Sequence, residues 1–323
     1  SYSVTGVQTC ALPIYKQEAE VSLAYNNIGS AYFRKNNLKK AIEYYQKALE
    51  IRTSLNLELE KAQSLNSLGT VYKSLKENQK ALELFDSALP IAEKLNHQDL
   101  KASILNNIGS LYLGNNDFKP ALEHYLQSLE IRQKLNDQEA IASSYNNIGL
   151  IFKNLNHSAK AMEYFEKALN IYRLLNDKQL IANSLNYMGG VAWKEQDFKK
   201  ALEYFNETLK IRQQFGDKTA IAGTYNNIAM IYKNLDQSQK AEENYLKALE
   251  IYKLSGDYRN QASTYTNLAY LFLKDKKNAP ALYNFTLAYQ IRMQLNDAHG
   301  IGSSAKDIAA LHLSQKRDRK SVV

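Results

Sequence analysis

Tyr145-Asn146-Asn147-Ile148-Gly149-Leu150-Ile151-Phe152 decides the fold, because the chain rewrites this stretch every 40 residues. Earlier copies are Tyr25-Asn26-Asn27-Ile28-Gly29, Leu65-Asn66-Ser67-Leu68-Gly69 and Leu105-Asn106-Asn107-Ile108-Gly109. Later copies are Leu185-Asn186-Tyr187-Met188-Gly189, Tyr225-Asn226-Asn227-Ile228-Ala229, Tyr265-Thr266-Asn267-Leu268-Ala269 and a worn Ala305-Lys306-Asp307-Ile308-Ala309. No insertion or deletion separates them. A fixed period of this length marks a repeat array, in which each unit buries its apolar face against its neighbours.

Residues 137–176 serve as the type unit. Asp137 is an N-cap candidate, and Ile141, Ala142, Tyr145, Ile148, Gly149 and Phe152 form one stripe at helical spacing. Asn154-Leu155-Asn156-His157 is a turn, and Ala161, Phe165, Ala168, Leu169, Tyr172 and Leu175 form a second stripe. Asn176-Asp177 closes the unit: asparagine tolerates the left-handed position after a helix, and aspartate caps the next one. The unit is helix–turn–helix, with no strand signal.

Small residues hold fixed columns. Gly29, Gly69, Gly109, Gly149 and Gly189 give way to Ala229, Ala269 and Ala309, while Ala41, Ala81, Ala121, Ala161, Ala201, Ala241 and Ala281 never vary. A glycine inside a helix costs about 1 kcal/mol relative to alanine, so close helix approach is the expected compensation. The alanines of the last copies imply that one methyl fits there. Ile51, Ile91, Ile131, Ile171, Ile211, Ile251 and Ile291 form an apolar column expected to pack on the following repeat.

A longer period, two repeats in length, is superimposed. Arg52, Arg132, Arg212 and Arg292 alternate with Ala92, Tyr172 and Tyr252. In another column Lys73, Lys153 and Lys233 alternate with Phe33, Leu113, Trp193 and Leu273. The inner surface is therefore expected to alternate between apolar and cationic.

Both ends depart from the repeat. Val4 to Ile14 (VTGVQTCALPI) and Asp318 to Val323 (DRKSVV) resemble translated sequencing adapters. Residues 1–14 and 318–323 are accordingly expected to be non-native, leaving an array at 15–317: seven full repeats near 17–296 and an eighth first helix at 297–316. The single cysteine, Cys10, falls in the first of these segments. A cytoplasmic location is expected, with a periplasmic one open because the natural N-terminus is missing.

Composition narrows the function. Four prolines and 13 glycines among 323 residues suit helix throughout. No apolar run is long enough to span a membrane. The net charge of +8 is spread along the chain. Lysine is interleaved with glutamate, without the continuous basic stripe and stacking aromatics of a single-strand binder, so no nucleic acid is expected. His97, His124, His157, His299 and His312 fall in different columns and are read as solvated or edge residues. The Glu43, Glu83, Glu123, Glu163, Glu203 and Glu243 column sits three residues after a lysine column (Lys40, Lys80, Lys160, Lys200, Lys240), which predicts short-range ion pairs on a solvated face. No catalytic constellation, phosphate loop, cofactor site or metal site is found, so the segment is not expected to be an enzyme.

The pattern resembles the tetratricopeptide repeat. Tyr145, Ile148, Gly149 and Phe152 match the first-helix signature, and Ala161, Phe165 and Ala168 match the second. The closing proline is missing. The resemblance covers about residues 16–316 and implies an all-α, right-handed superhelical solenoid with first helices lining the concave face. The 40-residue, Asn-Asp-linked unit is similar to arrays of bacterial signalling proteins, where such arrays precede a kinase, cyclase or DNA-binding module. Phrases such as Ala48-Leu49-Glu50-Ile51-Arg52 are similar to kinesin light chains and Pins/LGN-type scaffolds.

The resemblance places the first asparagine column in the groove: Asn26, Asn66, Asn106, Asn146, Asn186 and Asn226. Asn27, Asn107, Asn147, Asn227 and Asn267 stand beside it. Asparagine is a poor helix-interior residue, and its amide both donates and accepts, so a ladder of amides can hold an extended peptide backbone. The same amides could instead bond the neighbouring helix and keep the repeats in register. With Lys73, Lys153, Lys233 and Trp193 in the adjacent column, the expected partner is a protein or extended peptide, acidic ones included. The expected role is a scaffold in a larger signalling protein. A stand-alone assembly scaffold, or part of a histidine kinase or other enzyme whose catalytic domain lies elsewhere, is the alternative.

Overall fold

The computed structural model describes the backbone of residues 5–321 and the side chains of residues 15–314. Among the described residues every regular element is an α-helix. The chain forms two compact units, one ending at Ala168 and the other beginning at Leu169. The first holds α1 (Thr5–Arg34), α2 (Leu38–Ser54), α3 (Glu58–Ser74), α4 (Asn78–Lys94), α5 (Gln98–Gly114), α6 (Phe118–Lys134), α7 (Gln138–Asn154) and most of α8 (Ser158–Leu174). The second holds α9 (Lys178–Lys194), α10 (Phe198–Phe215), α11 (Lys218–Asn234), α12 (Ser238–Ser255), α13 (Tyr258–Lys274), α14 (Asn278–Gln294) and α15 (Ala298–Ser321). Segments 1–14 and 318–323 lie outside the residues whose side chains are described.

The turns explain why the helices are nearly equal in length. At Asn176 the backbone enters the left-handed region (φ 55°), and Asp177 N–H donates to Tyr172 O at 3.1 Å. Asp177 Oδ1 then accepts from Leu180 N–H at 3.0 Å, capping α9. This is the predicted Asn-Asp closure. The turn inside the repeat is built the same way: Asn156 has φ 63°, and His157 N–H donates to Phe152 O at 2.8 Å. The left-handed residue recurs at every half-period, as at Asn136, Asn156, Asn176 and Gln196. Each repeat is therefore two half-modules, each one helix and one short turn. Asparagine and glycine fill most of these positions, but Lys76, Gln196, Asp236 and Lys276 occupy four, at φ 58–62°. Such side chains adopt the left-handed region at a cost of about 1–2 kcal/mol.

Within each unit, first and second helices pack as pairs; α5 also touches α3 and α7, and α11 touches α13. Odd-numbered helices therefore make one layer and even-numbered helices the other. The alanine column from Ala41 to Ala281 is fully buried between paired helices. Phe85, Phe165 and Phe285 are buried beside it, each contributing about 1.5–3 kcal/mol through burial of the ring.

The glycine column departs from expectation. A methyl added at Gly149 would lie 2.6 Å from Phe165 Cε1, and at Gly69 2.5 Å from Phe85 Cε1. The ring of the second helix rests directly on the first helix's backbone. One methyl does not fit in those repeats without a shift, whereas Ala229 and Ala269 carry one and are fully buried. The isoleucine column is only half-buried.

Candidate functional site

The asparagines form a ladder between repeats. Asn107 Nδ2 donates to Asn66 Oδ1 at 2.9 Å, Asn147 Nδ2 to Asn106 Oδ1 at 3.3 Å, and Asn227 Nδ2 to Asn186 Oδ1 at 3.3 Å. In these three rungs the second-column amide reaches back to the first-column amide of the preceding repeat. Each rung commits one N–H of the donor and one lone pair of the acceptor, so every amide keeps further hydrogen-bonding capacity. Ser67 and Tyr187 stand where the other repeats carry the second-column asparagine. Two members differ from the rungs: Asn26 Oδ1 accepts from Arg52 Nη1 at 3.3 Å, and Asn226 donates to Thr264 Oγ1 at 2.9 Å while its own Oδ1 is buried without a partner. Asn146 is buried. Asn27 is exposed, and Asn267 is half-buried.

The lysine column is half-buried. Lys73 Nζ donates to Ser110 Oγ at 3.1 Å, and desolvation by burial holds its pKa below the usual lysine value. Desolvation likewise lowers Lys233, with the nearby Lys274 charge adding to the effect. Among the described residues neither Lys73 nor Lys233 pairs with a carboxylate, whereas Lys274 is paired with Asp236 at 2.5 Å. Lys153 is half-buried on α7. The apolar members of the column do not alternate with the lysines as open anchors. Phe33, Trp193 and Leu273 are half-buried against apolar clusters that reach into the following repeat, Trp193 against the cluster of Ala192, Ala201, Phe205, Ile228 and Ile231. The Trp193 indole N–H is buried without a partner.

The arginine column carries chemistry that the sequence reading left unassigned. Arg52 is 1 % exposed and donates to Ser22, Asn26, Glu60 O and Ser64, all neutral oxygens. Arg212 and Arg292 repeat its bonds to the following first helix: Arg212 to Ala220 O and Thr224, Arg292 to Gly300 O and Ser304. Arg132 instead turns back to Asp99 and Ser103. The sequence carried only a weak signal: Ser64, Ser144, Thr224 and Ser304 follow the four arginines at one fixed offset, but Ser184 and Thr264 follow Tyr172 and Tyr252 at the same offset.

A tetratricopeptide repeat model matches residues 20–94, 100–174, 180–253 and 220–294. The chain belongs to the tetratricopeptide repeat family. Comparison with curated proteins gives no match. Among solved structures, the apo form of RapI is similar at 20% identity and a TM-score of 0.68, with 86% of this chain and 99% of that one covered. A Rap protein complexed with competence and sporulation factor is 20% identical, with a TM-score of 0.60 and coverage of 91% and 75%. A signal transduction ATPase with a tetratricopeptide repeat sensor, from Pyrococcus horikoshii, is 16% identical with a TM-score of 0.67. There 92% of this chain aligns with 49% of that protein.

On the opposite layer of this tetratricopeptide repeat array, the ion pairs differ from those expected. Glu43 and Glu163 pair with Lys47 and Lys167, four residues on, at 2.7 and 2.6 Å. Lys40, Lys80, Lys160 and Lys240 lie instead over the rings of Tyr32, Tyr72, Phe152 and Tyr232, 5.0–5.4 Å from the centroids. A lysine stem covers an aromatic face there while its ammonium stays wet. His124 is not a solvated residue: it stacks on Tyr112 with its Nδ1 buried, and desolvation lowers its pKa. His97 caps α5, its Nδ1 accepting from Leu100 N–H at 3.2 Å.

Proposed function

We propose that this array is a binding scaffold that holds an extended acidic polypeptide along its first-helix layer, as the sensing part of a larger signalling protein. The observation that carries the reading stands once in each unit, Lys73 in the first and Lys233 in the second. Both are partly desolvated, and neither has a carboxylate partner among the described residues. A desolvated cation without a counter-charge costs free energy in the unliganded fold, and a partner's acidic side chain supplies what is missing. The ladder amides beside them retain donors and acceptors suited to a peptide backbone. The sensor role draws support from the signal transduction ATPase that carries a similar tetratricopeptide repeat sensor.

A peptide library screened at two salt concentrations tests the reading. Acidic peptides should win, with binding weakened as salt screens the lysines. Lys73→Gln or Lys233→Gln should each weaken the best peptide about tenfold, an interaction of roughly 1.4 kcal/mol. Equal binding of neutral peptides, or unchanged affinity in both variants, would remove the basis of the proposal.

A further inference from the structure

Two arginines, two repeats apart, sit in equivalent surroundings with different counter-charges. Arg132 is held by two carboxylates, Asp99 and Asp137, and its Nη2 donates to Ser103 Oγ at 2.6 Å. Asp137 is the N-cap of α7, but Asp99 is an additional acid from the first turn of α5. Arg212 stands in the same place in its own unit. Its Nη2 donates to Asn183 Oδ1, the counterpart of Ser103, at 3.3 Å. Asp217, the counterpart of Asp137, caps α11 through Ala220 N–H at 3.0 Å and lies beside the arginine. The counterpart of Asp99 is the neutral Gln179.

The exchange leaves Arg212 donating only to neutral oxygens, with Ala220 O at 3.1 Å and Thr224 Oγ1 at 2.8 Å as its other acceptors. Burial pulls its pKa below the ordinary arginine value, with the Asp217 charge acting in the opposite direction. Beside it opens a cleft of about 130 Å³ lined by Gln179, Asn183, Ile211, Phe215 and Asp217.

We propose that this cleft is a carboxylate subsite, in which a ligand carboxylate takes at Arg212 the position that Asp99 takes at Arg132. Asp217 does not oppose it, because at Arg132 one guanidinium serves a capping aspartate and a second carboxylate together. A guanidinium presents several donors in a fixed fork and can engage both. Ile211 and Phe215 wall the cleft on its apolar side, and a charge-assisted hydrogen bond is strengthened there by the lower local dielectric. The carboxylate can belong to an aspartate or glutamate of a bound polypeptide or to a small free acid. The subsite rests on Arg212 and its repeat counterpart, not on the lysines of the proposed peptide face.

NMR of the arginine Nε–Hε groups in the full chain reads the site directly, with the Arg212 resonance assigned through Arg212→Lys. Succinate should move that resonance to saturation, and succinamide should not. Gln179→Asp, which copies Asp99, should weaken the succinate response at least about tenfold while leaving the urea midpoint equal or higher. A blocked Ala-Ala-Glu-Ala-Ala peptide that binds at least about tenfold tighter than succinate assigns the ligand to polypeptides; weaker binding assigns it to free acids. An unmoved Arg212 resonance, an equal response to succinamide, or a parent-like response in Gln179→Asp overturns the subsite. Succinate binding with no acidic peptide on the lysine face would sink the peptide reading alone, and the converse result the subsite alone.

Discussion

Replacing Gly149 with alanine should destabilise the array even though alanine is the better helix former. A Cβ at this position would meet Phe165 at 2.6 Å from Cε1, 2.8 Å from Cδ1 and 3.1 Å from Cζ. The ring is fully buried, so it cannot swing into solvent, and the helix pair must part by several tenths of an ångström. Overpacking of this kind costs about 1–3 kcal/mol, and the gain in helix propensity returns about 1 kcal/mol, for a net loss of roughly 1 kcal/mol. Gly190 provides the control within α9: a methyl there meets nothing within 4 Å, so Gly190→Ala should stabilise by about 0.5–1 kcal/mol. Gly109→Ala should fall between the two, its nearest contact being 3.1 Å from Tyr125 Cδ1. Urea midpoints at constant slope measure the three variants, and hydrogen exchange over α7 and α8 localises the first. Because cooperativity can break down along a repeat array, the exchange data decide where the midpoints disagree. If Gly149→Ala stabilises as much as Gly190→Ala, the ring is not a fixed neighbour and the packing argument is wrong.

Gln196→Gly should raise stability by about 0.5–1 kcal/mol, since glycine relieves the left-handed cost at φ 60° and gives back part of it in chain entropy; a lower urea midpoint would refute this. Lys73→Met should stabilise the fold at neutral pH. The folded-state pKa of Lys73 is lowered by desolvation, so its charge opposes folding below that pKa, and the penalty fades as pH rises from there toward the unfolded value near 10.5. The advantage of the variant should therefore shrink in alkaline buffer, and an advantage independent of pH would contradict the assignment. Trimming to residues 15–317 should leave the melting temperature unchanged; Tyr15 is retained because its hydroxyl donates to Leu55 O at 3.2 Å, and a drop of several degrees would show that residues 1–14 or 318–323 are part of the packed array.

Much of the fold was legible because its signals are local. The apolar stripes and the Asn-Asp turns each act within one helix and its adjoining turn, and the fixed period multiplies them; the structure repeats them as read. The half-module was legible in principle, but Lys76, Gln196, Asp236 and Lys276 hide it, being unusual choices for a left-handed position. The candidate site was legible only as columns. Lys73 and Lys153 stand in one column with Trp193, yet nothing in the spacing shows that Trp193 packs against the apolar cluster of Ala192, Ala201, Phe205, Ile228 and Ile231. The lysine and glutamate columns suggested pairing one helical turn apart, whereas an aromatic near the end of the preceding helix provided each lysine with a better neighbour.

The sequence by itself determined that this chain is an uninterrupted series of paired helices with close-packed small residues at fixed places. Period, helix stripes and turn chemistry depend on neighbours along the chain. The tertiary structure decided which atoms meet: Asn107 bonds Asn66 of the preceding repeat, Arg132 bonds Asp99 on the first helix of its own repeat, and Arg212 in an equivalent position bonds Thr224 of the following repeat. Those choices follow from the rise and rotation between successive helix pairs, together with whether one acid stands within an arginine's reach. No rule of local periodicity contains either quantity, because both arise only when the pairs are stacked.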